Sequence, residues 1–190
     1  WELLLIENLT SVSSDIRCEI NKYAEMDSRI KAVQIENKNN VPEIYEAGRS
    51  SATGDYIIFL DPFDELSPDA LYENALYIDE HPDVDFIYSD EDKIDMFGQR
   101  SQPYFKPGWS PELLRSTMYT GQLAVYRAPL VSKIGGLRPE FEGSALYDLV
   151  LRIADVAQNV FHIPKVLSHR LVGPTKLCIS RFQINKIMKM

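Results

Sequence analysis

Cysteine is nearly absent from this chain. Cys18 and Cys178 are the only two in 190 residues; they stand far apart and lack metal-ligand spacing, so neither a disulfide framework nor a zinc site is supported, and a reducing cytoplasm is the default setting. Long apolar runs are absent as well. The longest span about five residues, against roughly 20 for a bilayer-crossing helix, so no transmembrane segment and no secretory leader is expected. Basic charge is scarce: 20 Lys and Arg face 28 Asp and Glu for a formal net charge of -8. That balance argues against a nucleic-acid partner, whose backbone is held mainly by clustered Lys and Arg. Repeats and low-complexity tracts are also missing. What remains is a chain that is 45% hydrophobic and 11% aromatic, enough to build one soluble domain around a core. It opens on Trp1 rather than Met, inside a strand pattern, so an upstream segment and a larger parent chain are expected.

Apolar periodicity places a strand at Glu2–Ile6 closed by Glu7-Asn8, a helix from Ser13 or Ser14 to about Met26, and a strand at Ile30–Ile35. A polar turn at Asn37–Asn40 precedes a helix from about Pro42 to Ala52, stopped by Thr53-Gly54. Then come the strand Tyr56–Leu60, a helix from Ser67-Pro68-Asp69 to about Glu80, and the strand Val84–Tyr88. Strict alternation of strands and helices over this half argues for right-handed βαβ units and a mainly parallel sheet. The second half is less regular: helices at Pro111–Ser116, Ala128–Ile134 and Ala145–Ala157, strands at Leu123–Tyr126 and Val160–Pro164, and weak periodicity from Gly173 to Met190. That end reads as an appended helix or an ordered piece of tail.

The most informative segment follows the strand Tyr56–Leu60. Asp61-Pro62-Phe63-Asp64-Glu65-Leu66 sets carboxylates at the carboxyl edge of a sheet, where open α/β folds bind ligands and where a divalent cation can meet a diphosphate.

The order of motifs resembles that of the family 2 glycosyltransferases of the GT-A fold, in particular the bacterial cell-surface polysaccharide enzymes. The resemblance runs from Trp1-Glu2 through Asp27-Ser28-Arg29-Ile30, Ala52-Thr53-Gly54-Asp55-Tyr56, Leu60-Asp61, Asp64-Glu65-Leu66 and Pro68-Asp69-Ala70-Leu71. It continues through Tyr88-Ser89-Asp90-Glu91-Asp92-Lys93, Phe105-Lys106-Pro107, Trp109-Ser110-Pro111, Gly135-Gly136, Tyr147-Asp148-Leu149 with Leu151-Arg152, and His162-Ile163-Pro164. It implies a GT-A domain over residues 1–171 that lacks the family's first strand, with residues 172–190 as a C-terminal extension. The implied activity is inverting transfer from a nucleotide-sugar donor, usually a UDP-sugar, to a surface glycan acceptor, in the cytoplasm or peripherally at the inner membrane face.

Mg2+ or Mn2+ is the implied cofactor, held by Asp61, Asp64 and His169. Glu7, Asn8 and Asp61 fall at the donor positions, Asp90, Glu91, Asp92 and Trp109 line the acceptor side, and Asp148 or Glu142 is the candidate base. The chain also departs from the family pattern. Glu7-Asn8-Leu9-Thr10 replaces two aspartates, a glycine and a serine; Glu43 and Tyr45 stand where a small residue and an asparagine are usual; Phe63 takes the place of a metal-motif acid. Ala145-Leu146 replaces a glutamine and the catalytic aspartate. These departures make an impaired enzyme, or a non-catalytic glycan- or protein-binding module, the alternative expectation.

Overall fold

The structure is a computed structural model that describes residues 1–9, 14–36, 38, 40–62, 64–121, 123–172 and, as backbone only, 184–189. Its elements are β1 (Glu2–Asn8), α1 (Ser14–Met26), β2 (Ile30–Ile35), α2 (Val41–Ser51), β3 (Tyr56–Leu60), β4 (Asp64–Leu66), α3 (Ala70–Glu80) and β5 (Phe86–Ile94). They continue with β6 (Arg100–Tyr104), α4 (Pro111–Ser116), β7 (Ala124–Arg127), α5 (Ala128–Lys133), a 3-10 turn (Pro139–Phe141), α6 (Ala145–Ala154), β8 (Val160–Leu171) and β9 (Ile184–Lys189). Local chemistry sets several ends. The Asn40 side chain accepts from the Glu43 amide at 2.9 Å at the start of α2, and Ser110 caps α4 through the Leu113 amide at 3.2 Å, each satisfying a donor the helix itself cannot.

The strands form one mixed sheet in the order β2-β1-β9-β3-β7-β5-β8-β4, with β6 paired to β5. The pairings make β1, β2, β3, β5 and β8 co-directional, as the βα alternation leads one to expect, while β4, β6, β7 and β9 run against them. Among the described strands only β1–β2 and β5–β8 pair in parallel, so the sheet is not mainly parallel as expected, because antiparallel strands intercalate between the co-directional ones. Strand alternation sends β3 side chains to two layers. Ile57 and Phe59 join Ile44 and Tyr45 of α2, Leu114 of α4, Val131 of α5 and Leu149, Val150 and Ile153 of α6 in one core. Tyr56, Ile58 and Leu60 face the opposite core with Ala70 of α3, Val125, Ile163 and Leu167. A strand apolar on both faces is what a sheet covered on both sides requires. No helix among the described residues is long and apolar enough to cross a membrane.

β4 and β6 form where no strand was read, and three further segments differ from the sequence reading. β5 does not stop at Tyr88 but runs on through the acidic Asp90-Glu91-Asp92, because buried partners on β8 accept those charges. β8 likewise continues past Pro164 to Leu171. The ladder steps from Ser89↔Ile163 to Asp90↔Val166, a bulge that absorbs Pro164, which has no amide hydrogen to give. At the chain end, where an appended segment was expected, Ile184–Lys189 lies inside the sheet, antiparallel to β1 and β3. Residues 173–183 of that stretch lie outside the described residues.

Candidate active site

The co-directional strands end along one edge, which collects Glu7 and Asn8 of β1, Asp61 after β3, and Glu91 of β5. The Asp64 amide donates to the Asp61 carbonyl at 3.0 Å, a tight turn that draws the two aspartates together. Phe63 between them lies outside the described residues. Across the ladders Asp64 faces Arg170, Leu66 faces Ser168, and Ser168 faces Glu91. Directly opposed residues share a face of the sheet, so Asp64, Glu91 and Arg170 lie on the same side. Burial, reinforced by the charges of Asp61 and Glu91 and opposed by Arg170, pushes the Asp64 carboxyl up to about 7. Tyr45 underlies this edge. Its hydroxyl donates to the Leu60 carbonyl at 3.0 Å, and burial, with the Asp61 and Asp64 charges, raises its pKa.

Glu91 is held by a cation that sequence reasoning left without a role. The buried Lys106 ammonium donates to Glu91 Oε2 at 3.0 Å and to the Thr120 carbonyl at 2.8 Å, while the Lys106 amide donates to Asp90 Oδ1 at 2.8 Å. Burial lowers the Lys106 pKa and Glu91 pulls it back up. Gly121, at φ +79°, leaves room for the pair: a Cβ there would sit 2.1 Å from both Glu91 Oε2 and Lys106 Nζ. Gly121→Ala is therefore expected to cost about 2 kcal/mol in urea denaturation, from left-handed backbone strain and a forced shift of the pair. A change within 0.5 kcal/mol, roughly the scale of an ordinary surface substitution, would mean the pair has room to move.

Two predicted acceptor carboxylates are elsewhere engaged. Asp90 is buried between the Lys106 amide and His162 Nε2, the latter at 2.7 Å, with the His162 ring stacked on Tyr88. Asp92 is buried between His169 Nδ1 at 2.6 Å and Arg100 Nε at 2.6 Å. Both acids join strands rather than face an acceptor. His169, expected with Asp61 and Asp64 at the metal, is opposite Glu65 and Asp92 in the ladders; the alternation of side chains puts it on the other face from Asp64. Among the described residues no set of three or more His, Cys, Asp or Glu is gathered to hold a metal by itself.

Trp109, predicted to meet the acceptor, is half-buried, its ring 5.8 Å from Phe86, 6.3 Å from Tyr88 and 6.5 Å from Tyr119. It completes the core. Asp148, the first base candidate, is buried at the start of α6 and receives Nε and Nη2 of Arg138 and Nε and Nη2 of Arg152. Burial would raise its pKa, but the hydrogen bonds from Arg138 and Arg152 outweigh that and hold the carboxyl below its ordinary value. Arg152 also donates to the carbonyls of Ile134 and Gly136 at 2.8 and 2.7 Å, so the acid ties α6 to the turn after α5. Leu146 packs against the core, whereas Glu142, the second base candidate, is exposed.

At the far end of the edge, Glu7 is fully buried, and among the described residues neither carboxylate oxygen has a hydrogen-bond partner; Arg17 Nε lies 3.5 Å away. The Asn8 side chain donates to the Lys38 carbonyl at 2.5 Å. Thr10, predicted beside them, lies outside the described residues.

The sequence profile described as Glycosyl transferase family 2 matches residues 11–135, well over half of the chain. The chain belongs to this family. Among curated proteins, the O-antigen biosynthesis protein RfbC of Myxococcus xanthus is 36% identical over 173 residues, covering 91% of this chain but only 14% of that much longer protein. Among solved structures, residues 1–349 of S. aureus TarS superpose with a TM-score of 0.70 at 17% identity, over 90% of this chain and 51% of that one. The mannosyltransferase PcManGT from Pyrobaculum calidifontis, solved with GDP-Man and Mn2+, gives a TM-score of 0.61 at 16% identity, over 91% of this chain and 48% of that one. These likenesses establish the GT-A fold. Within this transferase domain the acidic edge keeps Asp61, Asp64 and Glu91 together, and it separates them from His169, Trp109 and Asp148. Lys106 and Gly121 were missed because only the β5–β6 pairing and the turn before β7 bring them to Glu91.

Proposed function

We propose that this domain transfers a sugar from a nucleotide-sugar donor, a uridine diphosphate sugar, to a bacterial surface glycan, with inversion. The observation that carries the reading is the convergence of Asp61, Asp64 and Glu91 at one sheet edge in a chain of this family. The name of the Myxococcus relative supports a surface polysaccharide as the product. Asp61 and Asp64 fit Mg2+ or Mn2+: both are hard oxygen donors, and such ions commonly take one or two carboxylates and complete their shell with substrate phosphates. When bound, the cation neutralises charge on the leaving diphosphate. The Mn2+ and guanosine diphosphate mannose bound to the Pyrobaculum enzyme support that assignment.

Glu7 supplies a buried carboxylate able to accept hydrogen bonds from a nucleoside, and Asn8 stands beside it. The acceptor hydroxyl loses its proton to a carboxylate as its oxygen attacks the anomeric carbon. The bond to the nucleoside diphosphate breaks with the electron pair on the departing oxygen. Of the two base candidates, exposed Glu142 takes this role, because the Asp148 oxygens already receive two guanidinium groups. General-base loss typically costs about 10²–10⁴ in rate.

Calorimetric titration of UDP into the full-length protein, with Mn2+ and with chelator, tests the donor site. Metal-dependent binding is expected, and Asp61→Ala is expected to abolish it. A second reading has one specific observation in its favour, the apolar Leu146 packed in the core where the family carries its base. Absence of UDP binding under both conditions would select that reading, a non-catalytic glycan- or protein-binding module.

A further inference from the structure

Trp109, expected at the acceptor, packs against Phe86, Tyr88 and Tyr119. β6 sits on β5 outside the main strand order, and all five of its residues are exposed. Its register against β5 is irregular: Glu91 opposes Tyr104 while Lys93 opposes Ser101, so β6 carries one extra residue. Gln102 absorbs it with φ +49°, the one non-glycine described in the left-handed region, and its side chain accepts from Lys93 Nζ at 2.6 Å. Bulges of this kind re-aim side chains and are common beside active sites.

The bulge brings Tyr104 directly across from Glu91, on the same face of the ribbon. Tyr104 is 42% exposed and Phe105 is 69% exposed. The next residue, Lys106, turns inward and clamps the Glu91 carboxylate. An exposed aromatic ring beside a carboxylate and a polar pair is a surface suited to a sugar. The Tyr104 ring face meets its apolar C–H face, and Glu91, Lys93 and Gln102 meet its hydroxyls. Addition of a protein strand is the competing use of an exposed β6 edge, and Pro103 opposes it, because a proline in an edge strand offers no amide hydrogen to a new ladder.

We propose that Tyr104, with Glu91 across the ladder and the Lys93–Gln102 pair alongside, forms a subsite for a neutral pyranose unit of the acceptor glycan. Asp61 and Asp64 are assigned above to the donor diphosphate, and β6 carries neither of them, so the subsite is assigned to a unit of the acceptor chain. This inference rests on the transferase reading above, and its test is kept separate from that reading.

The test uses full-length protein with 13C-labelled tyrosine rings, the Tyr104 signals being identified by their loss in Tyr104→Phe. Lactose, maltose, N,N′-diacetylchitobiose and methyl α-L-rhamnoside are titrated in turn, with an extended Thr-Val octapeptide as the competing probe. At least one sugar is expected to shift the Tyr104 ring signals. Its affinity, followed by saturation transfer to the sugar, is expected to fall roughly 2- to 12-fold in Tyr104→Ala and to be retained in Tyr104→Phe. Thermal melting of the variants checks that the fold is kept. No shift with any sugar, unchanged affinity in Tyr104→Ala, or a response to the octapeptide alone overturns the subsite. A parallel titration of UDP and Mn2+ into the wild type reports on the donor reading, so its failure is seen apart from failure of the sugar arm.

Discussion

Asp64→Asn is expected to stabilise the metal-free protein at pH 8 and to remove the stabilisation that Mn2+ confers on the wild type. The Asp64 carboxyl is raised from 3.8 to about 7, first by burial and then by the charges of Asp61 and Glu91. A carboxyl whose folded pKa lies above its unfolded value binds protons more tightly in the native state. Its favourable contribution is complete below pH 3.8 and is lost progressively as the pH rises to about 7. The gap between 3.8 and about 7 makes that loss of the order of 4 kcal/mol, at ~1.4 kcal/mol for each tenfold change in proton affinity. Asn has nearly the same shape and no charge to desolvate, and it escapes that loss. Urea unfolding in chelator from pH 4 to 8 should show a stability decline in the wild type that is absent in the variant. Added Mn2+ should reverse the decline in the wild type alone. Parallel pH curves for the two proteins would show that Asp64 is well solvated and not pressed against Asp61 and Glu91.

Asp148→Ala is expected to destabilise the fold by about 3 kcal/mol, whatever it does to transfer. Removing one member of a buried ion pair typically costs 3–5 kcal/mol because the remaining charge stays desolvated. The lower end applies here, since the Arg138 side chain is 41% exposed and keeps much of its hydration, whereas that of Arg152 is 19% exposed. Arg152 would retain its bonds to the carbonyls of Ile134 and Gly136 but lose its counterion. Urea unfolding of Asp148→Ala measures the cost directly. A general base acts on the rate and not on the fold, so unchanged stability with a large fall in transfer would return Asp148 to the role its motif suggested.

Much of the architecture was legible because it is written locally. The run Tyr56–Leu60 reads as a strand covered on both faces, and both cores use it. The Asn40 and Ser110 caps and the prolines at the starts of α2 and α4 mark those helices. Asp61 and Asp64 were legible for a related reason: a carboxylate just after a buried strand has nowhere to go but the sheet edge. The helix beginning at Ala145 was legible too, but not what its Asp148 touches, since Arg138 lies on the far side of the 3-10 turn.

The acidic run Asp90-Glu91-Asp92 shows most clearly where local reading stopped. By sequence the three are one charged cluster facing an acceptor. In the sheet they alternate, and each finds a different partner: His162 for Asp90, Lys106 for Glu91, His169 for Asp92. Trp109 and Tyr104 part company for the same kind of reason. A tryptophan and a tyrosine five residues apart look equally able to stack on a sugar, and only packing shows that Trp109 completes a ring cluster while Tyr104 stays in solvent.

The sequence by itself determined the alternation of strands and helices, the family, and the edge on which acids gather, because hydrophobic period, helix caps and motif order are properties of neighbouring residues. Tertiary structure decided which of those acids remain at the edge and which are consumed in holding strands together. That division depends on strand register and on contacts between residues far apart in the chain, such as His169 and Asp92 at 77 positions, and no local pattern encodes it.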